Sequence, residues 1–211
     1  MTECVTINEH SSIRLEAERT IYVDPFRLRV ERRDADLVLI THEHYDHFSP
    51  EDFRRAARED TLFVLPESMR RAAADAGLAA ERCVFLRPGE RAEAAGVPVE
   101  TVASYNTNKP MHPREKDWLG YILTLDGARY YIAGDTDITP EALAVRCDVA
   151  LVPIGGTYTM DAAEAAELIN TLTPAVAIPT HYGTVVGAPT DAARFRARVD
   201  AAIRVEEKLY F

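Results

Sequence analysis

Cysteine is scarce. Cys4, Cys83 and Cys147 are the only three among 211 residues, widely spaced, odd in number and never in a C-x-x-C pair. This excludes a disulfide framework and fits reduced thiols buried as small apolar groups. Long apolar runs are also missing: stretches such as Val149 to Ile154 and Ala175 to Pro179 are strand-length and cannot span a bilayer. The segment from Met1 to His10 lacks a basic region followed by an apolar one, so it does not read as a signal peptide, and the expectation is a cytoplasmic protein with no membrane partner. Positive charge is in deficit, with 24 Lys and Arg against 34 Asp and Glu and a formal charge of -10. That field repels polyanions, so no nucleic-acid partner is expected. No Ser/Gly-rich linker, short-period repeat or low-complexity tract interrupts the chain, which predicts one domain over residues 1–211. A chain of this length buries roughly 70% of its unfolded surface and folds without a metal or disulfide, so a metal site here would serve chemistry.

The pattern of the chain predicts an α/β fold. Cys4 to Ile7, Ser12 to Glu16 and Thr20 to Val23 read as strands, and Asp36 to Thr41 as a buried strand ending at His42. Ser49-Pro50-Glu51-Asp52 opens a helix to about Arg58, with Ser as cap, Pro in the first turn and acids at the positive end. Strands follow at Thr61 to Leu65, Arg82 to Leu86 and Val97 to Ser104, with a helix from Glu67 to Ala76 capped by Gly77. Asp126-Gly127 marks a hairpin between Trp118–Leu125 and Ala128–Ala133. A short helix after Thr139, a strand from Asp148 to Ile154, a helix boxed by Asp161 and Glu164, and a strand from Ala175 to Pro179 come next. A last helix is expected from Thr190 to about Ala202 and a last strand from Val205 to Leu209. Both halves run strands, hairpin, then strand-helix alternation, which suggests two central sheets with helices outside, an αββα sandwich of four layers. His42, Asp135 and His181 each end a core strand and can converge along one sheet edge.

Histidine is where the sequence is rich. Three of six histidines fall within Thr41-His42-Glu43-His44-Tyr45-Asp46-His47. In extended backbone, residues two apart point the same way, so His42 and His44 can grip one ion while Asp46 and His47 face a second. Asp135 is placed to bridge the two and His181 to complete the second. Imidazole and carboxylate without thiolate suit one or two Zn2+ ions, with Mn2+ or Fe2+ as alternatives. Such a pair lowers the pKa of water and polarises the scissile bond.

The order H-x-H-x-D-H, then an aspartate after a glycine (Ala133-Gly134-Asp135-Thr136), then a final histidine (Pro179-Thr180-His181), resembles that of metallo-β-lactamase-fold hydrolases. The Asn8-Glu9-His10-Ser11-Ser12 opening is similar to the subgroup containing ascorbate-6-phosphate lactonase and N-acylphosphatidylethanolamine phospholipase D. The resemblance implies the αββα sandwich and a metal-activated hydroxide that hydrolyses an ester, lactone, amide, thioester or phosphodiester. One departure stands out: where the family pattern has a further histidine for the first metal, this chain has Tyr105-Asn106. Either His42, His44 and Asp135 alone hold that metal, or His112 swings in, and a weaker first site is expected.

Asp46 is expected to orient the attacking water or act as general base. His112, in a proline-rich loop, reads as a ligand, a proton donor to the leaving group or a surface histidine. His10, Tyr105, Asn106, Lys109, Tyr158 and Tyr182 are candidate substrate contacts, and Lys109, Arg114 and Lys116 hint at an anionic substrate group. Asp24 before Pro25 is either a support for a ligand imidazole or a simple turn residue. The expected partner is a small soluble substrate, and self-association into a homo-oligomer is compatible with the sequence. A ribonuclease Z type nuclease is disfavoured by the acidic charge. A flavodiiron enzyme is disfavoured by His44, where that pattern has glutamate. The non-enzymatic alternative is a metal-binding or ligand-sensing scaffold with little turnover, suggested by Asn106.

Overall fold

A computed structural model describes residues 2–211. Its first sheet holds β1 (Val5–Glu9), β2 (Ser12–Glu16), β3 (Thr20–Val23), β4 (Ala35–Leu39), β5 (Ala57–Pro66) and β6 (Cys83–Leu86), in that spatial order. The second holds β7 (Arg91–Ala94), β8 (Val97–Ala103), β9 (Leu119–Leu125), β10 (Ala128–Ile132), β11 (Val149–Pro153), β12 (Val176–Thr180) and β13 (Arg204–Val205), neighbours in sequence again being neighbours in space. Each sheet begins antiparallel and turns parallel: β1 to β3 form a meander and β3 to β6 run parallel, while β7 to β10 form a meander and β10 to β13 run parallel. The change follows from connection length, since a tight turn can only reverse a strand and a parallel partner needs a crossover. Asp126 and Gly127, at φ of +50° and +77°, make the tight turn between β9 and β10.

Side-chain alternation explains the layers. Leu37 and Leu39 of β4 point into the apolar core shared with the second sheet. Val38 and the adjoining Ile40 point the other way, against Phe53 and Ala56 of α1 (Pro50–Ala56) and Ala73 of α2 (Arg70–Asp75). On the second sheet, α4 (Ala162–Leu172) buries Ala165, Ala166, Leu168, Ile169 and Leu172 and packs beside α5 (Asp191–Arg196), with the short α3 (Pro140–Leu143) next to it. The result is the αββα arrangement.

The chain differs from its sequence pattern in five places. The first helix stops at Ala56, because Ala57 already pairs with Ala35 and the strand takes in Arg58 to Asp60. The segment from Glu67 begins as a 3-10 turn, Glu67–Met69, before becoming α2. β7 is a short edge strand without an apolar pattern to reveal it. The last helix ends at Arg196 rather than near Ala202. There the Asn170 side chain donates to Arg198 O (2.9 Å) and accepts from Asp200 N (2.9 Å), holding the next residues in turns. The last strand is Arg204–Val205 rather than Val205 to Leu209, lying at the outer edge of its sheet.

Two contacts close the sheets together where the parallel strands end. The Tyr121 hydroxyl donates to Ile40 O across the core at 2.5 Å, and Leu119 N donates to Thr41 O at 3.1 Å. Gly134 lies at that seam with φ of +66°, and a Cβ there would sit 2.9 Å from Leu119 O and 3.0 Å from Ser104 Oγ. Only glycine fits, and Asp135 is thereby placed against the histidines that follow β4.

Candidate metal centre

The loops after β4, β8 and β10 and the end of β12 bring five histidines and two aspartates together, and the turn after β1 adds a sixth histidine. Three overlapping groups result, each with its donor atoms within 4.8 Å of one another: His42, His44 and His112; His42, His47 and Asp135; and His10, Asp46, His47 and His181. Asp135 stands between them. Its Oδ2 lies 3.0 Å from His181 Nε2, 3.3 Å from His112 Nε2 and 3.9 Å from His42 Nε2, and its Oδ1 lies 3.4 Å from His47 Nε2.

Donor and acceptor accounting fixes how the rings present themselves. The Asp24 carboxylate accepts from Thr41 N (2.8 Å), from the Thr41 hydroxyl (2.6 Å) and from His47 Nδ1 (2.7 Å). Because the Thr41 proton goes to Asp24, its oxygen is left to accept from His42 Nδ1 at 2.9 Å. One buried carboxylate therefore orients two imidazoles, one directly and one through a hydroxyl, and both offer Nε2 to the cluster. His112 is held likewise: its Nδ1 donates to Asn106 Oδ1 (2.9 Å), with Tyr158 O also near at 3.1 Å. A carboxylate or carbonyl behind the ring is the usual support of a metal-binding histidine.

Apart from His42 Nε2, which lies 3.0 Å from His44 Nδ1, most of the inward atoms have no partners of their own. His47 Nε2, His112 Nε2, both ring nitrogens of His10 and of His181, and Asp135 Oδ1 are buried without a hydrogen bond. Buried polar atoms are nearly always satisfied, so so many together aimed at one place point to a cation. The donor set of imidazole and carboxylate fits Zn2+, Mn2+ or Fe2+. His42, His44 and His112 would hold one ion, and Asp46, His47 and His181 with His10 a second, Asp135 lying between.

Electrostatics keeps most of these groups ready to bind. Burial pushes His10 down to about 4 and His42 well below the usual histidine range, with His47 adding to the effect on His42, so both rings are neutral donors. Burial works against ionised Asp46, but the close approach of His10, its Nε2 3.3 Å away, and the charge of His47 outweigh it and bring the carboxyl down to about 2. Burial likewise opposes ionised Asp135, and His181 and His47 hold it well below the carboxylate range. His47 goes the other way: although burial opposes its charge, Asp135 and Asp24 raise it well above the ordinary value, so a metal ion must displace a proton there.

Backbone strain marks the same place. His10, Asp24 and His181 have φ of +57°, +46° and +56°. The backbone bond from His181 N to His10 O, 3.1 Å, locks two of them together, with ring centroids 3.8 Å apart. Such conformations cost about 1–3 kcal/mol each and persist where the surroundings over-determine them.

The remaining sequence candidates divide. His42, His44, Asp46, His47, Asp135, His181 and His112 meet in the cluster. Asn106 does not face it: its amide supports His112 from behind and donates to Tyr158 O at 2.9 Å. Three imidazoles thus surround the first position, which removes the ground for expecting that site to be weak. His10 is not at the cleft surface but buried beneath it, with Nε2 3.3 Å from Asp46 Oδ2. Tyr105 is turned away, its hydroxyl donating to Glu141 at 2.8 Å. Tyr182 is buried against Phe211. Lys109 is paired with Asp137 at 2.6 Å, Lys116 with Glu43 at 2.6 Å and Arg114 with Glu141 at 2.7 Å, so none is a free anion contact. Tyr158 does line the cleft, together with Tyr45, Met111 and Val185. Sequence reasoning missed those last three, as well as Thr41 and Trp118. Thr41, Tyr45 and Met111 each adjoin a candidate ligand, and Trp118 is the single tryptophan, with its ring 4.9 Å from His42 and 5.0 Å from His44. Among the described residues no helix is long and apolar enough to cross a membrane.

Known proteins share this framework. A UPF0173 metal-dependent hydrolase of Thermoplasma acidophilum is 31% identical, over 89% of this chain and 87% of its own. One from Nitratidesulfovibrio vulgaris is 32% identical, over 92% of this chain and 86% of its own. The solved structure of Igni18, a metallo hydrolase from Ignicoccus hospitalis, superposes with a TM-score of 0.76 at 27% identity, covering 96% of this chain and 93% of that one. The beta-lactamase superfamily domain matches residues 4–181, and with the two sheets and the histidine-aspartate cluster in place, the chain belongs to that superfamily.

Proposed function

We propose that the protein is a metal-dependent hydrolase, with zinc as the first candidate and manganese or iron as alternatives, acting at a two-metal centre on an ester, lactone, amide or phosphodiester of a small soluble substrate. The observation that carries this reading is Asp135, whose carboxylate lies between buried, unpartnered imidazole nitrogens of both sets, Oδ2 near His112 and His181 and Oδ1 near His47. When bound, the metal supplies Lewis acidity and brings the pKa of water toward neutral.

The chain's own residues do the rest. Asp24, Thr41 and Asn106 hold His47, His42 and His112 in fixed orientations, so little reorganisation accompanies the reaction. Asp46 borders the cleft with an ionised carboxylate, placed to orient the attacking water and accept its proton. His10, with Nε2 3.3 Å from Asp46 Oδ2, flanks that carboxylate from below. Tyr45, Met111, Tyr158 and Val185 wall the cleft and limit bulk water around the scissile bond.

The test is metal analysis of the purified chain together with hydrolysis of a panel of ester, lactone, amide and phosphodiester reporters with added Zn2+ or Mn2+. Asp46→Asn and Asp135→Ala should lose turnover while staying folded. A protein that binds metal and turns over no reporter would instead be the scaffold.

A further inference from the structure

Resting on the hydrolase reading, we infer that the cleft selects uncharged substrates whose portion away from the scissile bond is a compact apolar or aromatic group, and rejects those carrying an anion there. The cleft has a volume of about 330 Å³, with the candidate ligands as its floor and Tyr45, Met111, Tyr158 and Val185 as its walls. Three of those wall residues are unusually open for large apolar side chains, Tyr45 at 66%, Met111 at 43% and Tyr158 at 37% exposure. They gather at one cleft although they come from separate loops. Tyr45 is braced edge-on by Phe26, ring centroids 6.0 Å apart. A cavity of about 150 Å³ holds a benzene ring, so this cleft takes a ring or short alkyl chain plus the reacting ester or lactone.

Charge argues the same way. Each cation near the cleft is already taken, Lys109 by Asp137, Lys116 by Glu43, Arg114 by Glu141 and Arg27 by Glu9. None of the four lines the cleft. A phosphate or carboxylate remote from the scissile bond would therefore lose its hydration against apolar walls with no counter-charge, on a chain of formal charge -10. For an ester, the oxygen of water bonds to the acyl carbon and the bond from that carbon to the leaving oxygen breaks. One proton of water ends on the alcohol and the other, with the acid's ionisation, in solvent.

The experiment uses the full metal-loaded chain and p-nitrophenyl esters, the acetate, butyrate and valerate as a length series and the mono-ester of glutarate, whose free end is an anion, as the length-matched partner of the valerate, each rate taken after subtracting the enzyme-free rate. The ratio kcat/KM should rise about fourfold per added methylene until the cleft is full, and the valerate should exceed the glutarate by at least about tenfold. Met111→Asp and Val185→Asp should shrink both ratios. Binding is read separately from the fluorescence of Trp118, the single tryptophan, 5.0 Å from the His44 ring. There 4-phenyl-2-butanone should bind at least about tenfold more tightly than its ring-para carboxylate. Ester turnover with equal or better use of the anionic partner overturns this inference and leaves the hydrolase reading standing. If no ester is cleaved, the ketone pair alone decides selectivity, with equal binding or no binding of the neutral member refuting it; the hydrolase reading fails only if the lactone, amide and phosphodiester reporters are inert as well.

Discussion

Replacing Asn106 by alanine tests whether a residue that does not face the metal position nevertheless sets metal affinity. Its amide oxygen accepts from His112 Nδ1 at 2.9 Å and from His112 N at 3.1 Å, and its amide nitrogen donates to Tyr158 O at 2.9 Å. Three hydrogen bonds at about 1 kcal/mol each amount to about 3 kcal/mol of stability. For a chain of this size that lowers the melting temperature of the metal-free protein by about 6–12 °C. His112 keeps one alternative acceptor, Tyr158 O at 3.1 Å, so the ring turns rather than leaves. Loss of such a supporting partner typically weakens metal binding by about 10–100-fold, or about 1.4–2.8 kcal/mol. The assay is competition with a calibrated chelator, following Trp118 fluorescence. Asn106→Asp, which keeps an acceptor for the imidazole, should recover most of the affinity, whereas His112→Ala should not. Wild-type affinity in Asn106→Ala would refute the claim that His112 is held for a metal.

Asp24→Asn replaces a pure acceptor by a group that also donates, facing three donors from Thr41 and His47, and should cost about 3 kcal/mol and weaken metal retention at both positions in metal analysis after dialysis. The metal-free protein should lose stability as pH falls. His10 titrates near 4 when folded and near 6.5 when unfolded, so below about 6.5 the unfolded chain takes up its proton first. The contribution reaches about 3 kcal/mol by pH 4, and thermal melts of His10→Gln should show a flatter acid limb; parallel melting curves would count against it. Gly134→Ala forces a Cβ to 2.9 Å from Leu119 O at a φ of +66° and should destabilise by about 2–4 kcal/mol, read by denaturant titration.

Most of the element order was legible because each element carries a local cause: apolar β-branched strands, the caps at Ser49, Thr139 and Asp161, and the Asp126-Gly127 turn. Where the cause was tertiary, the sequence misled. Nothing near Ala202 ends a helix; Asn170, thirty residues earlier in the chain, does so by clamping residues 198–200. Among site residues, the motif histidines and Asp135 are legible because two-residue spacing and strand ends place them. The roles of Asn106 and His10 are not, since each depends on which ring lies behind or above it, and for Asp24 the sequence left open the choice between a turn residue and the imidazole support that the structure shows.

The sequence by itself determined the α/β class, the absence of a disulfide framework and the chemistry of the donor set, because composition and spacing act locally along the chain. Only the tertiary structure decided that His112 joins His42 and His44 while Asn106 stands behind it. Only it decided, too, that Lys109, Lys116 and Arg114 are neutralised, and that Tyr45, Met111, Tyr158 and Val185 share one cleft. The reason is physical: those outcomes depend on distances between loops from different strands, which are set by how the two sheets close on their common core.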